Sequence, residues 1–218
     1  MSATEEHIVR CLLTAIEDDA QVSQRRLSGD IGIAVGSVNW YLKRCLSKGL
    51  IKLQDAPVKR YLYYLTPKGF EEKSKLTAEF LQRSFELYRQ GRRECDEFFA
   101  SCQSARKEKI FLAGDSDLAE IACLSALNAT ANVRGVVDST AARKSCTGTP
   151  VFPTLQAAIA DTGGNPPDVV LLTDLKRPKR CYSELAEQAR EIGIGPEVIH
   201  ILPLLKFTPK GHEHRSSK

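Results

Sequence analysis

The chain lacks the features that mark membrane, secreted and metal-binding proteins. No apolar run approaches the roughly eighteen residues of a membrane span, and the N-terminal MSATEEHIVR has no apolar core of a secretion signal. The seven cysteines are odd in number, scattered and never paired as CxxC, which argues against a disulfide framework and a zinc site. These absences predict a cytoplasmic protein with reduced thiols, no bound metal and no membrane partner.

Signatures of catalysis are also missing. The sequence has no nucleophile elbow, no phosphate-binding loop ending in Lys-Ser/Thr and no HExxH motif. His200 lies inside the apolar run VIHILP, where a buried imidazole is more common than a catalytic base. The chain is therefore not expected to be an enzyme.

What is present is the composition of an ordinary globular protein, with 42% hydrophobic and 27% charged residues. Its 218 residues suffice for two small domains. The net charge is only +4, but residues 20–60 hold eight basic and two acidic side chains, whereas residues 105–200 hold eleven and twelve. A local excess of positive charge indicates a polyanionic partner, so the first part of the chain is expected to bind nucleic acid.

Three short helices are predicted in the basic part. Residues 5–18 carry apolar side chains at helical spacing. The segment SQRRLSGDIG predicts a second helix between an N-cap at Ser23 and a C-cap at Gly32, and the third begins near Ala34 and ends at Gly49. Two helices joined by a tight turn form a helix-turn-helix. The third helix is expected to bury Val35, Val38, Leu42, Cys45 and Leu46.

A hairpin is predicted after the third helix. LIKLQ (50–54) and RYLYYLTPKG (60–69) alternate as strands do, and DAPVK between them suits a turn. A hairpin at this place is the wing of a winged helix. We therefore predict a winged helix-turn-helix domain at residues 1–69.

The outer face of the third helix supplies the candidate contacts with the major groove. Asparagine can pair with adenine, serine can bind a base or a phosphate, and lysine or arginine can neutralise phosphates or reach guanine. The second helix and the wing are expected to hold the DNA backbone. The candidate residues are Ser37, Asn39, Trp40, Lys43 and Arg44 on the third helix, Ser23, Gln24, Arg25 and Arg26 on the second, and Lys59 and Arg60 on the wing. The alternative is a winged helix with a solvated basic face that binds another protein.

Three motifs in this half give a family resemblance. The sequence has SQRRL followed by GSVNW, and then YLYYLTPKGFEEK at the junction of strand and helix. Over residues 5–95 this order resembles the MarR-type winged helix regulators associated with exopolysaccharide gene clusters. The resemblance implies sequence-specific binding of double-stranded DNA and regulation of surface-polysaccharide genes.

Residues 70–104 are predicted to form one long connecting helix. Apolar side chains recur at alternating spacings of three and four, which is the pattern of a coiled-coil seam. The seam residues are Ala78, Leu81, Phe85, Tyr88, Arg92, Cys95, Phe99 and Cys102. Two paired copies would make a homodimer whose winged helices read a palindrome. In the alternative, the stripe packs on its own domain, and Cys95 and Cys102 are buried structural thiols.

Residues 105–203 alternate between strand and helix. The sequence predicts a strand at 109–113, a helix at 117–129 and a second strand at 133–137, followed by PVFPTLQAAIADTG, PDVVLLTD, a helix and EVIHILP. Alternation at this interval predicts an α/β domain with a doubly wound parallel Rossmann-like sheet. The tail at 204–218 is polar and basic and is expected to be flexible.

Ligands of such sheets bind beyond the carboxyl ends of the strands. The candidate ligand-binding residues at those ends are Gly114, Ser116, Asp138, Thr173, Asp174 and Lys176. A dinucleotide fingerprint placed on this turn reads Gly114, Ser116, Ala119, so its central glycine is missing. Asp115 and Asp117 add negative charge where a phosphate would bind.

The layout VRGVVDST…CTGTPVFPTLQAAI (133–159) carries a second resemblance. Over about residues 108–202 the chain resembles the N-terminal Rossmann-like domains of nucleotide-sugar-modifying enzymes from polysaccharide pathways. The resemblance implies a nucleotide or nucleotide-sugar effector, and no other cofactor is expected. Three hypotheses follow for the whole chain. It is a dimeric regulator with a ligand-sensing domain, a regulator whose second domain is a ligand-free scaffold, or a nucleotide-sugar enzyme with a nucleic-acid-binding head.

Overall fold

The computed structural model describes residues 2–56 and 60–207, and the chain divides into two compact units, Met1–Glu86 and Leu87–Lys218. Lys59 of the predicted wing and residues 208–218 of the predicted tail lie outside the described residues. The first unit contains the helix-turn-helix, and the second contains the α/β domain.

The first unit is built from helices followed by a hairpin. Its elements are α1 (Ala3–Asp18), α2 (Gln24–Ile31), α3 (Val35–Ser47), β1 (Ile51–Ala56), β2 (Arg60–Leu65) and the first part of α4 (Pro67–Ser104). α1 begins earlier than predicted because Ser2 and Glu5 form a capping box, in which each side chain accepts a backbone N–H of the other. The predicted ends of α2 are confirmed: the Ser23 hydroxyl accepts the Arg26 N–H, and Gly32 adopts the left-handed conformation.

The core of the first unit is formed by the inner faces of the three helices and by the hairpin residues Ile51 and Tyr63. Leu12, Leu13, Leu27 and Leu42 are fully buried in it. Of the residues predicted to face inward from α3, Val38, Leu42 and Cys45 are buried and Leu46 packs at the edge. The prediction for Val35 is wrong: it is 44% exposed because it opens the helix, before the core begins.

The hairpin has the register that a wing requires. β1 and β2 pair antiparallel from Ile51 opposite Leu65 to Ala56 opposite Arg60. β2 ends at Leu65, not at residue 69 as predicted, because Pro67 starts α4. The hydroxyl of Thr66 accepts the N–H of Gly69 at 3.0 Å and so caps this helix.

α4 has 38 residues, and its two halves differ in burial. Leu81, Phe85 and Tyr88 are exposed, at 47%, 57% and 44%. Cys95, Phe99 and Cys102, further along the predicted seam, are buried in the core of the second unit. The prediction of one continuous seam is therefore wrong for the second half of the helix, which packs on its own domain.

The thiols on this half of α4 behave as buried groups. Burial raises the pKa of Cys95 to about 12 and also raises the pKa of Cys102. A thiol with a raised pKa forms little thiolate at neutral pH. Among the described residues no helix, α4 included, is both long enough and apolar enough to cross a membrane.

The second unit contains a six-stranded sheet between helices. After α4 come β3 (Ile110–Ala113), α5 (Asp117–Asn128), β4 (Val133–Val137), β5 (Ser145–Cys146), β6 (Thr149–Phe152), α6 (Leu155–Asp161), β7 (Val169–Leu172), α7 (Pro178–Glu191) and β8 (Ile199–Ile201). The strand order is β5-β6-β4-β3-β7-β8, parallel except for the short edge strand β5. Numbered along the chain, the parallel strands run 3-2-1-4-5, the Rossmann-like order.

Each face of this sheet has its own core. Ile110 and Leu112 of β3 pack with α4 and α5, whereas Phe111 and Ala113 pack with α6 and α7. β3 and β7 are buried along their whole length, which explains their continuous apolar sequences. The predicted doubly wound α/β fold is confirmed.

One irregularity interrupts the pairing of β3 with β4. Ile110 lies opposite Val133, but the next residue, Phe111, lies opposite Gly135. Arg134 is therefore an extra residue at a bulge. Bulges redirect a side chain and are frequent beside functional sites.

Candidate nucleic-acid interface and candidate ligand site

The outer face of α3 presents the predicted contact residues to different degrees. Ser37 and Lys43 are exposed, and Trp40 is 53% exposed. Asn39 is half-buried. The exposure of this face follows from the helical period. Val38, Leu42 and Cys45 are buried in the core, so the side chains on the opposite face of α3 lie in solvent.

Arg44 is held by two other side chains. Its guanidinium forms an ion pair with Glu5 at 3.4 Å and lies 5.2 Å from the centre of the Trp40 ring. The Trp40 ring in turn meets Tyr41 edge to face, with 4.8 Å between ring centres. To reach a base or a phosphate, Arg44 must exchange its contact with Glu5.

At the start of α2, some of the predicted contact residues already form hydrogen bonds or ion pairs within the protein and one does not. Ser23 caps the helix, and Gln24 donates to the Tyr63 hydroxyl at 3.4 Å. Arg26 pairs with two carboxylates, Asp19 at 3.0 Å and Asp30 at 3.6 Å. Arg25 is exposed and has no partner among the described residues, so it is the cation best placed to meet a phosphate.

The wing adds residues that the sequence analysis did not select. Tyr61 on β2 is 55% exposed and Lys52 on β1 is exposed. Tyr61 also lines an open groove of about 440 Å³ beside the start of α2. Of the predicted wing contacts, Lys59 lies outside the described residues and only the backbone of Arg60 is described. The strand alternation could have identified Tyr61, whose neighbour Leu62 is at a more buried position.

Five of the six predicted ligand residues meet at the carboxyl edge of the second unit's sheet, and Gly114, Ser116 and Thr173 are hydrogen-bonded to one another. The Thr173 hydroxyl is fully buried and lies 2.6 Å from the Gly114 carbonyl and 3.0 Å from that of Ala113. The Ser116 hydroxyl donates to the Thr173 carbonyl and accepts the Leu118 N–H, which caps α5. The strand ends are thus tied together by the groups predicted to bind a ligand.

Gly114 lies at the point where the strand order reverses, which is where Rossmann-like sheets open a crevice. Here its φ is +99°, and a Cβ on it would lie 2.5 Å from the Cβ of Asp174. Asp174 accepts the N–H groups of Lys176 and Arg177 at 2.7 and 2.8 Å. The loops after β3 and β7 therefore close the crevice, and Lys176 is left exposed.

Asp138, another of the predicted ligand-binding residues, also accepts hydrogen bonds from groups of the protein. It accepts the N–H of Asp115 at 2.9 Å and both the N–H and the hydroxyl of Thr140, at 2.7 and 2.8 Å. Burial raises the pKa of this carboxyl, but the hydrogen bonds outweigh burial and hold the pKa below its usual value. Both carboxylate oxygens of Asp138 thus accept hydrogen bonds from groups of the protein itself.

An arginine missed by the sequence analysis neutralises the acidic turn. Arg143 pairs with Asp115 and, at 2.6 Å, with Glu120. These hydrogen bonds raise the pKa of the guanidinium. The repulsion of phosphate expected from Asp115 is thereby reduced. Local spacing gave no signal for this pairing, because Arg143 and Asp115 are 28 residues apart.

The cavity left at the carboxyl edge is small. It measures about 30 Å³ and is bordered by Asp138, Thr140, Arg177 and Arg180. Such a volume matches about one water molecule, whereas ligand pockets measure roughly 300–1,000 Å³. This cavity by itself is too small for a nucleotide.

The chain matches a known family model in part of its first unit. The family model of winged helix-turn-helix DNA-binding domains matches residues 7–52. Among solved structures the chain is similar to a mutant of MepR from S. aureus, at 18% identity and a TM-score of 0.34, over 40% of this chain and 64% of that one. No curated protein matches the chain. The first unit has the winged helix-turn-helix fold.

Proposed function

We propose that the protein is a homodimeric transcriptional regulator of the MarR type that controls surface-polysaccharide genes and responds to a small molecule. The observation that carries this proposal is the match of residues 7–52 to winged helix-turn-helix DNA-binding domains, together with the exposed polar face of α3. The polysaccharide targets rest on the resemblance carried by GSVNW and LTPKG.

In this proposal α3 enters the major groove. Ser37, Trp40 and Lys43 would meet base edges or phosphates, and Arg25 at the start of α2 would meet the backbone. The local excess of positive charge at residues 20–60 supports a polyanionic partner over a protein partner.

The proposed dimer uses the exposed stripe of Leu81, Phe85 and Tyr88 on α4. These residues follow the three-and-four spacing of a helix pair, and large apolar side chains on a solvent-exposed helix face are typical of an interface. Pairing through the stripe would present two winged helices to a palindromic site.

The effector proposal has two forms. Strand order and the position of Asp138 support a nucleotide or nucleotide-sugar effector at the carboxyl edge. The closed crevice and the internal hydrogen bonds of Thr173 and Asp138 support the alternative, a scaffold that has kept the fold without that ligand. Thermal-shift screening of the full chain against nucleotides and nucleotide sugars separates the two forms. Turnover of a nucleotide sugar that Asp138→Asn abolishes would indicate an enzyme instead.

DNA binding can be tested without knowing the operator. Full-length protein selects sites from a random duplex pool, and fluorescence anisotropy then compares the selected site with a shuffled one. Asn39→Ala and Lys43→Ala are each expected to weaken specific binding by about 1–3 kcal/mol if the side chain pairs with a base. Lys75→Ala, which removes an exposed charge from α4, is the control. Selection of no sequence, or equal affinities for all three variants, would refute the proposal.

A further inference from the structure

A second cleft lies at the opposite edge of the sheet in the second unit, where β3 and β4 begin. It measures about 400 Å³ and is formed by the end of α4, the end of α5 and the first residues of the two strands. Its lining combines the cations Arg106, Lys107 and Arg134 with apolar groups such as Ile110 and Cys102. Its volume is within the range of small-molecule sites, and we name it the amino-edge cleft.

Two residues that line this cleft have unfavourable backbone conformations. Arg106 has φ +54° and Thr130 has φ +51°. Each lies just after the end of a helix, and the residue that follows it donates a backbone hydrogen bond back to the last turn of that helix. After α4 the Lys107 N–H donates to the Cys102 carbonyl, and after α5 the Ala131 N–H donates to the Ala126 carbonyl. The left-handed position in this motif is usually glycine, and a β-branched threonine there is a clear outlier.

The same chain uses glycine at equivalent helix ends elsewhere. Gly49 after α3 and Gly193 after α7 have φ +67° and +76°. The closing bonds are the same, from Leu50 N–H to Cys45 O and from Ile194 N–H to Ala189 O. At these two helix ends the left-handed position carries a side chain that lines the amino-edge cleft, whereas Thr147 and Lys206 have positive φ outside it. Backbone strain is therefore a reason to look for a function of Arg106 and Thr130, and it needs an independent observation beside it.

Arg134 supplies an independent observation. As the extra residue of the bulge between β3 and β4, Arg134 departs from the regular alternation of the strand. It lines the amino-edge cleft and also borders a small cavity beside Lys109 and Thr162. Its Nε atom is buried and has no hydrogen-bond partner among the described residues. A buried donor without a partner costs free energy, so it is expected to have one in the functional state.

A structural explanation accounts for part of the cluster. Cations near the end of a helix stabilise its dipole, which suits Arg106 and Lys107 after α4. It does not explain Thr130, which carries no charge, or Arg134, which lies on a strand. Glu108 also lines the cleft, so the three cations leave it with an excess of positive charge.

We infer that the amino-edge cleft binds a small organic anion. A carboxylate or phosphate group would accept hydrogen bonds from the guanidinium of Arg134, with Arg106 beside it, because guanidinium groups bind such oxyanions through paired bonds. The apolar body of the ligand would contact Ile110 and Cys102. This site belongs to the second unit and lies at the sheet edge opposite the carboxyl edge, so its test does not depend on the proposed function.

Isothermal titration of the full-length protein, without DNA, tests the inference. The probes are heptanoate and hexyl phosphate, two anions that share a hexyl chain, with inorganic phosphate, hexanol and hexylamine as controls. We expect one or both anions to bind, inorganic phosphate to bind more weakly, and hexanol and hexylamine not to bind. The stronger of the two anions identifies the headgroup. Absence of binding by both anions at millimolar concentration, or equal binding of hexanol, would overturn the inference.

Variants tie the binding to this cleft. Arg134→Gln is expected to weaken the anion about tenfold or more, while Arg190→Gln, an exposed arginine of α7 outside the cleft, should leave its affinity unchanged. Arg106→Gly and Thr130→Gly relieve the strained backbone, so both should raise the thermal midpoint and yet weaken the anion. A purely structural role predicts the rise in midpoint alone. Unchanged affinity in Arg134→Gln and in both glycine variants would refute the site.

Discussion

Gly69 packs so closely against Leu50 that a methyl group on its Cα would overlap the Leu50 carbonyl oxygen. The contact joins the first turn of α4 to the residue that precedes the wing. Thr66 strengthens the junction, because its hydroxyl lies 2.6 Å from the Gly49 carbonyl and accepts the Gly69 N–H. The LTPKG motif is thereby explained: threonine caps the helix, proline starts it and glycine permits the contact.

We predict that Gly69→Ala destabilises the first unit. Alanine forms helices better than glycine by about 1 kcal/mol, but the overlap is with backbone atoms that cannot rotate away, and overpacking typically costs about 1–3 kcal/mol. Urea denaturation measures the change. Gly29→Ala in α2, where an added Cβ meets nothing within 4 Å, is the control and should stabilise slightly. Equal effects of the two substitutions would contradict this account of the junction.

Adjacent arginines of α2 are expected to contribute unequally to DNA binding. Arg25 is exposed without a described partner, whereas Arg26 is paired with Asp19 and Asp30. Arg25→Ala should weaken binding to every sequence and lower the slope of log affinity against log salt by about 1. Arg26→Ala should change that slope less. The reverse order would mean that Arg26 exchanges its carboxylates for phosphate.

The exposed stripe on α4 predicts the effect of a charge on assembly. Phe85→Glu should halve the mass measured by light scattering, because a carboxylate cannot be desolvated in an apolar interface without a partner. Its helix content should not change, since Phe85 is 57% exposed in the single chain. Glu86→Lys alters charge on a different face of the same helix and should leave the mass unchanged. A Phe85→Glu protein with the wild-type mass would place the interface elsewhere.

Acid is expected to weaken the carboxyl edge of the second unit. Because the folded-state pKa of Asp138 lies below its ordinary value of 3.8, this group stabilises the fold above that value and the contribution is lost as pH falls through the folded-state pKa. Thermal midpoints measured between about pH 7 and pH 3 should fall less in Asp138→Asn than in the wild type. Asp161→Asn, an exposed carboxyl of α6, should keep the wild-type profile. Identical profiles in all three proteins would contradict the proposed role of Asp138.

Local sequence predicts the elements well where their chemistry is local. The caps of α2 at Ser23 and Gly32 and the buried strands β3 and β7 follow from residues within one turn or one strand. The parallel order of the sheet follows from the alternation of strand and helix. These features were accessible because each depends on neighbours in the chain.

Features that depend on residues far apart in the chain cannot be predicted from local sequence. The apolar spacing of Cys95 and Phe99 is the same whether the helix packs on a partner or on its own domain, so the seam was assigned to the wrong surface in its second half. The pairing of Arg143 with Asp115 and the closure of Gly114 on Asp174 depend on how loops meet at the sheet edge. Hydrophobic periodicity contains no information about either.

The chain has one tryptophan, and the fold places it, half exposed, on the outer face of α3 beside the Arg44 guanidinium. Ultraviolet emission excited selectively from tryptophan therefore comes from the first unit alone, with no contribution from the α/β domain. Quenching or a spectral shift on addition of duplex would report occupancy of the helix surface directly. The protein carries its own optical label at the place where the regulator is proposed to touch its operator.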